Sequence, residues 1–319
     1  LAQADLPQPT PGPGQVLVRM RAASLNYRDL LIARNRKEGF PLVPLSDGAG
    51  EVAAVGAGVT RVSTGDRVAG TFFQNWPDGD LTQEGRDSAL GGSIPGVLTE
   101  YAVLQEQGVV ALPQGYSFEE GATLPCAAVT VWNALVPMGN LQPGETVLVL
   151  GTGGVSLFAL QFAQALGARV IITSKSDEKL ARAQKLGAWQ TINYQRTPAW
   201  EDEVLRLTGG RGVDQVLEVG GAGTLPQSVK ATREGGRVTL VGLLSGAPGK
   251  ADESLAAKRQ LRIQGVYVGS LQMFEEMNRF IEKHAIRPVI DRIFPFQQTP
   301  DAYRYLESGS HFGKVVISI

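Results

Sequence analysis

Residues 146 to 156 read Thr-Val-Leu-Val-Leu-Gly-Thr-Gly-Gly-Val-Ser, and their reading decides the fold. Thr146 to Leu150 is a short, nearly continuous apolar run, the pattern of a parallel strand covered on both faces. Gly151, Thr152, Gly153, Gly154 and Val155 follow as a tight turn. Leu157 to Leu166 is an apolar helix that stops at Gly167, and Ala168 to Thr173 is a second buried strand. Together they predict one β-α-β unit. Its first turn lets the backbone approach a pyrophosphate, which then sits on the N–H groups at the helix N-terminus. A glycine fingerprint alone is weak. The strand before it, the helix after it and the second strand at the right distance supply the context it needs. Ser156 stands where a third glycine is usual, a place that tolerates small residues because its role is close helix–strand packing. The alternative is a glycine-rich turn with no nucleotide.

The end of the second strand bears on which dinucleotide binds. In folds that bind NAD, a carboxylate there holds the ribose 2′-hydroxyl. Here the place holds Ser174, followed by Lys175, with Lys179 four residues on. A hydroxyl and an ammonium attract a 2′-phosphate that an acid would repel. The expected cofactor is therefore NADP(H) rather than NAD(H), the alternative being that Lys175 is merely solvated.

Farther out, the repeated pattern of strand and helix continues. Helices are expected over 177–186, 199–208 and 225–231, and strands over 191–193, 213–219, 237–241 and 262–268. This predicts a doubly wound parallel sheet over 121–265. Ahead of it, Gln15 to Ala22 alternates as a half-buried strand, and a helix runs through Leu30, Leu31 and Ile32. Short strands over 48–56, 66–70 and 96–104 suggest a mostly β module in the first 115 residues or so, followed by a helix over 116–136. A helix over 271–284 and a β-rich end through Lys314 return to that module, giving domains of 1–120 with 266–319 and of 121–265. Residues 74–93 have no periodicity and read either as a solvated excursion or as a lid.

Composition sets limits. The 319 residues are 43% hydrophobic and 19% charged, with net charge −1. That suits a globular protein of about two domains and gives no electrostatic case for nucleic acid or an anionic membrane. No apolar stretch approaches the roughly 18 residues that span a bilayer, and no signal peptide is visible. The single cysteine excludes an intrachain disulfide and fits a reducing cytoplasm. The chain opens at Leu1 with no initiator Met, which leaves room for an earlier segment.

With the glycine turn in its second half, the sequence resembles the medium-chain dehydrogenase/reductase superfamily. The likeness rests on Asn26-Tyr27-Arg28-Asp29, Gly48-Ala49-Gly50-Glu51-Val52, Gly65-Asp66-Arg67-Val68, Gly96-Val97-Leu98-Thr99-Glu100-Tyr101, the Gly151 turn and Gly313-Lys314-Val315-Val316. It implies an α/β protein: a GroES-like β domain plus a Rossmann doubly wound parallel sheet domain, with the active cleft between them. Family members usually start with one more strand, absent or clipped here. Zinc-type alcohol dehydrogenases resemble this chain but carry Cys where Asn26 stands, Gly-His-Glu where Leu45-Ser46-Asp47 stands, and a Cys matching Cys126. One ligand of three survives, so no metal is expected and Cys126 reads as a buried helix residue. The structural zinc lobe of that branch would fall at 74–93, which has no cysteine.

The chain thus looks like the zinc-independent quinone oxidoreductase-like branch, whose members reduce quinones, alkenals or enones with NADPH. By this likeness Asn26 lies beside the nicotinamide and, with Tyr27, donates to an oxygen. Asp29 is expected to fix local structure. Thr130 bonds the nicotinamide or ribose. Tyr194 covers the adenine, touches the 2′-phosphate, or is an exposed loop residue. Gly242, Leu243 and Val268 border the nicotinamide, and Lys314 reaches the pyrophosphate. The partners implied are a small carbonyl, quinone or alcohol and a second copy of the chain, paired through 262–268. Two alternatives stay open: an NAD(P)-dependent alcohol dehydrogenase, and a nucleotide-binding protein or sensor without turnover.

Overall fold

A computed structural model describes residues 1–35, 42–242 and 253–319. The chain forms two compact units, Leu1–Val129 with Val268–Ile319, and Thr130–Tyr267.

The first unit opens with β1 (Gln15–Leu25), α1 (Tyr27–Asn35), β2 (Asp47–Val55) and β3 (Arg67–Gly70). A short α2 (Gln83–Asp87), β4 (Tyr101–Gln105), β5 (Val109–Ala111) and α3 (Phe118–Ala122) follow. Alternation in β1 puts Val16, Val18 and Met20 into a core shared with Val52, Val68, Leu104 and Val315. Three expectations change here. The strand expected over 96–104 begins only at Tyr101. Upstream, the N–H groups of Gly96, Val97 and Leu98 turn back to the carbonyls of Val43, Leu45 and Pro44. Residues 74–93 are anchored by buried residues at both ends, with 77–80 and 82–84 exposed between them. Trp76, Ala89 and Leu90 are buried, and buried Gln74 bonds Thr71 O, Gly108 O and the Gln105 N–H.

The helix expected over 116–136 is broken. Ser117 caps α3 through a capping box with Glu120. A π turn then covers Leu124–Ala128, where the Val129 N–H reaches back to Leu124 O, before α4 (Val129–Leu135). Pro125 lacks an N–H and its ring crowds the carbonyl four residues earlier, so the helix widens there.

The second unit holds β6 (Thr146–Val149), α5 (Gly154–Ala165), β7 (Arg169–Ser174), α6 (Asp177–Lys185), β8 (Gln190–Asn193) and α7 (Trp200–Leu207). It continues with β9 (Val213–Glu218), α8 (Leu225–Ala231), β10 (Thr232–Leu240), α9 (Glu253–Lys258) and β11 (Arg262–Gly265). The sheet order is β11-β10-β9-β6-β7-β8, all parallel. Counted from β6 in chain order it reads 3-2-1-4-5-6, the Rossmann order. Strands β6, β7 and β9 are buried along nearly their whole length, as both faces are covered. The strand expected over 262–268 stops at Gly265, and Val268 takes a left-handed backbone, φ +59.

Back in the first unit come α10 (Leu271–Lys283), β12 (Ile290–Pro295), α11 (Thr299–Glu307) and β13 (Lys314–Ser318). The β-rich end therefore contains a helix, with Pro300 in its first turn, where a missing N–H costs nothing. Strand β13 lies between β12 and β1. No helix among the described residues is long and apolar enough to cross a membrane.

Candidate functional site

In the second unit the glycine turn joins β6 to α5. Gly151 has φ +72, and a Cβ added there would meet nothing within 4 Å, so the backbone angle demands glycine and the space before it is open. Its N–H lies 3.3 Å from Thr173 Oγ1. Gly153 is the N-cap of α5 and offers no side chain to the first-turn N–H groups. Those donors and the helix dipole suit an anion. Thr152 is buried, and Val155 is half-buried. Buried Ser156 donates its hydroxyl to Leu150 O at 2.7 Å, so the residue at the third-glycine place bonds helix to strand.

Ser174, Lys175, Lys179 and Tyr194 come together at the carboxyl ends of β7 and β8. Ser174 is buried, and its carbonyl takes the Tyr194 N–H at 3.2 Å. Lys175 is exposed and Lys179 half-buried. Ser176 caps α6 by accepting the Lys179 N–H at 3.3 Å. Tyr194 is 38% exposed. The sequence reading passed over two members of this rim. Asp177 accepts Asn193 Nδ2 at 2.8 Å and pairs with Arg196 at 2.5 Å. Asp177, two residues after Lys175 in the chain, is thus paired with a guanidinium.

Gly242 ends the next strand connection with its N–H 3.3 Å from Glu218 O; Leu243 lies outside the described residues. Glu218, also missed, closes β9. Its buried carboxylate accepts the Gly220 N–H at 2.7 Å, the Gly221 N–H at 2.9 Å and the Thr224 hydroxyl at 2.6 Å, with the Ser228 hydroxyl on its other oxygen. That saturation fixes the Gly220–Gly221 turn. Thr130 is buried on α4.

The first unit carries a second cluster. Antiparallel pairing of β13 with β1 sets Val315 opposite Leu25, which brings Lys314 to Asn26, 288 positions away in sequence. The Lys314 side chain is 3% exposed. Its Nζ donates to Leu25 O at 2.8 Å and to Asn26 Oδ1 at 2.7 Å, and lies 3.9 Å from Asp47 Oδ2. Lys314 is therefore enclosed in its own unit, where the resemblance had it reaching a pyrophosphate. Asp47 is fully buried. It accepts the Ser46 hydroxyl at 2.7 Å and the Cys126 N–H at 3.1 Å, a donor presented by the π turn at Pro125.

The approach to Asp47 is strained. Leu45 is buried with φ +68, costly for a residue with a Cβ. The Val97 N–H bonds Leu45 O at 3.0 Å, and Gly96 packs so close that a Cβ there would lie 2.1 Å from Leu45 O. Asp29 closes the turn at Asn26 by accepting its backbone N–H at 2.7 Å. Burial pushes the Asp29 carboxyl up to about 7, against the pull of Arg28 and the Asn26 N–H. Asn26 Nδ2 and Asp29 Oδ1 are buried with no hydrogen-bond partner among the described residues. Tyr27 stands 36% exposed on α1 beside Arg34, outside this cluster.

Residues 12–114 match the alcohol dehydrogenase GroES-like domain, and residues 154–283 match the zinc-binding dehydrogenase family. The chain is 48% identical over 316 residues to a zinc-type alcohol dehydrogenase-like protein of Schizosaccharomyces pombe, spanning 96% of this chain and 91% of that one. It is 33% identical over 329 residues to a quinone oxidoreductase of Pseudomonas aeruginosa, spanning 99% and 95%. The solved structure of a putative alcohol dehydrogenase from Sinorhizobium meliloti 1021 superposes with TM-score 0.92 at 44% identity, covering 98% of this chain and 93% of that one. The chain belongs to the medium-chain dehydrogenase/reductase superfamily.

Medium-chain dehydrogenase/reductases are oxidoreductases that act on small molecules with a nicotinamide cofactor. The Gly151 turn fits that cofactor: it has open space, a free helix N-terminus and cations at the rim. Zinc is a different matter. A catalytic zinc takes about three ligands from His, Cys and carboxylate. Around Asp47 the other donors are the Asn26 amide, the Ser46 hydroxyl, the Cys126 thiol and the Asp29 carboxyl, which already accepts the Asn26 N–H. Cys126 itself is only partly buried and sits in the π turn, not the regular helix expected. An ammonium already lies among these groups. No cluster of three or more His, Cys, Asp or Glu suited to a metal occurs among the described residues. This donor set does not fit a zinc-type site.

Proposed function

We propose that the protein is an NADPH-dependent reductase that transfers hydride to a quinone or an α,β-unsaturated carbonyl without a metal. The observation that carries this reading is the Lys314–Asn26–Asp47 cluster, which offers a hydrogen-bond donor where the zinc branch offers ligands. Gly151, Thr152, Gly153, Gly154 and Val155 would hold the pyrophosphate, and Ser174, Lys175 and Lys179 the 2′-phosphate, with Tyr194 beside the adenine. Gly242 and Val268 would border the nicotinamide, and Thr130 would bond it or its ribose. The cofactor supplies the hydride. As hydride reaches the β-carbon of an enone, negative charge collects on the carbonyl oxygen. Asn26 Nδ2 donates to that oxygen, while Tyr27, expected from the resemblance as a second donor, stands outside this cluster beside Arg34 and takes no part in the step. A proton from water completes the reduction.

The test is NADPH consumption by chelator-treated protein with a small quinone and with an alkenal. Turnover supports the reading, and Asn26→Ala then lowers kcat. No turnover with nucleotide still bound refutes it. Lys175→Glu should weaken NADPH binding while sparing NADH; equal effects on both remove the 2′-phosphate role.

The names of the relatives favour a second reading, NAD(P)-dependent alcohol oxidation. One zinc per chain by metal analysis, with alcohol turnover lost on chelation, would establish it. We also propose a homodimer through β11, which lies at the sheet edge with one side unpaired in the sheet order. A monomer by light scattering refutes that.

A further inference from the structure

The orientation of a side-chain amide is set by what faces each end. Asn26 Oδ1 faces the Lys314 ammonium at 2.7 Å. An ammonium only donates, so the opposite orientation would set an NH2 against three N–H groups. Lys314 cannot turn aside, because it is held by Leu25 O at 2.8 Å and faces buried Asp47. The consequence falls on Asn26 Nδ2, which is buried and has no acceptor among the described residues. An unpaired buried donor is unfavourable, and such groups in native proteins call for an explanation. A charge-assisted bond at the carbonyl end also polarises the amide and strengthens its N–H as a donor.

We infer that Lys314 is a positioning residue: it locks the Asn26 amide so that Nδ2 is a preset donor to a carbonyl oxygen of the bound ligands. This deepens the reductase reading and rests on it for the identity of that oxygen, which belongs either to the substrate or to the nicotinamide carboxamide. The cluster has the form of an oxyanion site whose donor is aimed by a buried cation. Lys314 itself touches neither ligand.

The test uses the full chain. Asn26→Asp keeps the bond to Lys314 and removes the donor, so it should fold normally and lose about a hundredfold in kcat. Lys314→Met should lose a similar factor where it folds. In the Asn26→Asp background, adding Lys314→Met should lower kcat by less than about threefold, because its effect runs through Asn26. Fully multiplicative losses would show a merely structural lysine and overturn the proposal.

A second readout does not depend on turnover or on the lysine variant folding. The Asn26 side-chain 15N–1H2 resonance, assigned by its disappearance in Asn26→Asp, should shift when ligand binds the wild-type chain. A shift with nucleotide alone identifies the carboxamide, and a shift only on adding the quinone or enone identifies the substrate. No shift with either overturns the proposal. A shift without turnover retains it while the reductase reading fails.

Discussion

Each unit buries an aspartate among cations, and the two are built differently. In the second unit Asp214 accepts Arg211 Nη2 at 2.7 Å and Arg233 Nε at 2.5 Å on one oxygen. On the other it accepts Arg211 Nη1 at 3.1 Å and the Thr146 N–H at 2.8 Å. It sits at the amino-terminal starts of β6 and β9, away from the carboxyl ends where ligands bind such sheets. In the first unit Asp47, Lys314, Asn26 and Asp29 form a cluster that retains two buried atoms with no hydrogen-bond partner among the described residues, Asn26 Nδ2 and Asp29 Oδ1, the latter 3.9 Å from Arg28 Nη1. A carboxylate with every acceptor direction used has nothing left to offer a ligand, whereas a packed cluster that keeps an aimed donor is shaped for one.

The largest expected effect concerns Asp29. Its carboxyl is raised from 3.8 to about 7 by burial, so the folded state binds this proton more tightly than the unfolded chain does. The resulting stability is fully present below about pH 4 and lost as pH rises through 7. Three units amount to about 4 kcal/mol. Asn in place of Asp29 keeps an oxygen for the Asn26 N–H and does not ionise. In urea titrations, Asp29→Asn should gain about 4 kcal/mol over wild type on going from pH 4 to pH 8. An unchanged difference would make this carboxyl an ordinary one and break the contrast.

Asp214→Ala should lower stability by about 3 kcal/mol at pH 7, since it strands two guanidinium partners and a buried N–H. Nucleotide affinity should not move. Burial raises the Asp214 carboxyl, but hydrogen bonds from Arg211 and Arg233 outweigh it and hold it at about 2. Its contribution is therefore present above about pH 4 and is lost as pH falls toward 2, the opposite limb from Asp29. The stability gap between wild type and variant should shrink over that range, and a constant gap would refute the assignment.

Gly96→Ala sharpens the comparison from a distance. A Cβ 2.1 Å from Leu45 O must displace the strained segment that delivers Asp47, at about 2 kcal/mol. Weaker activity with unchanged nucleotide affinity is expected, and unaltered activity would show that Leu45 does not position the cluster. The smallest effect belongs to Ser156→Ala, which deletes the bond to Leu150 O, at about 1 kcal/mol. A thermal melt with no shift would reduce Ser156 to a spacer.

Much of the second unit was legible. Buried parallel strands are continuous apolar runs, glycines punctuate their ends, and the helix after Gly154 carries its own start and stop. Bounds moved by only a few residues at α5, β7 and α6, and not at all at α8. The first unit was less legible. Residues 96–100 alternate like a strand, yet the N–H groups of Gly96, Val97 and Leu98 serve the 43–45 segment. Residues 74–93 lack period because they pack by single anchors, Trp76 and Leu90, not by a repeating face. Pro125 was visible, but what its π turn would present was not. Asp177 lay three residues past Ser174, and Arg196 showed no sign of pairing with it.

By itself the sequence determined the β-α-β unit, the anion-ready turn at Gly151–Gly154, the residues at the end of β7 and the family. Each of these depends on neighbours in the chain, where residue type and spacing fix backbone angle and burial. Tertiary structure alone decided what Lys314 does. Strand register brings it across 288 positions to Asn26, and no local pattern encodes which end of an amide an ammonium will face.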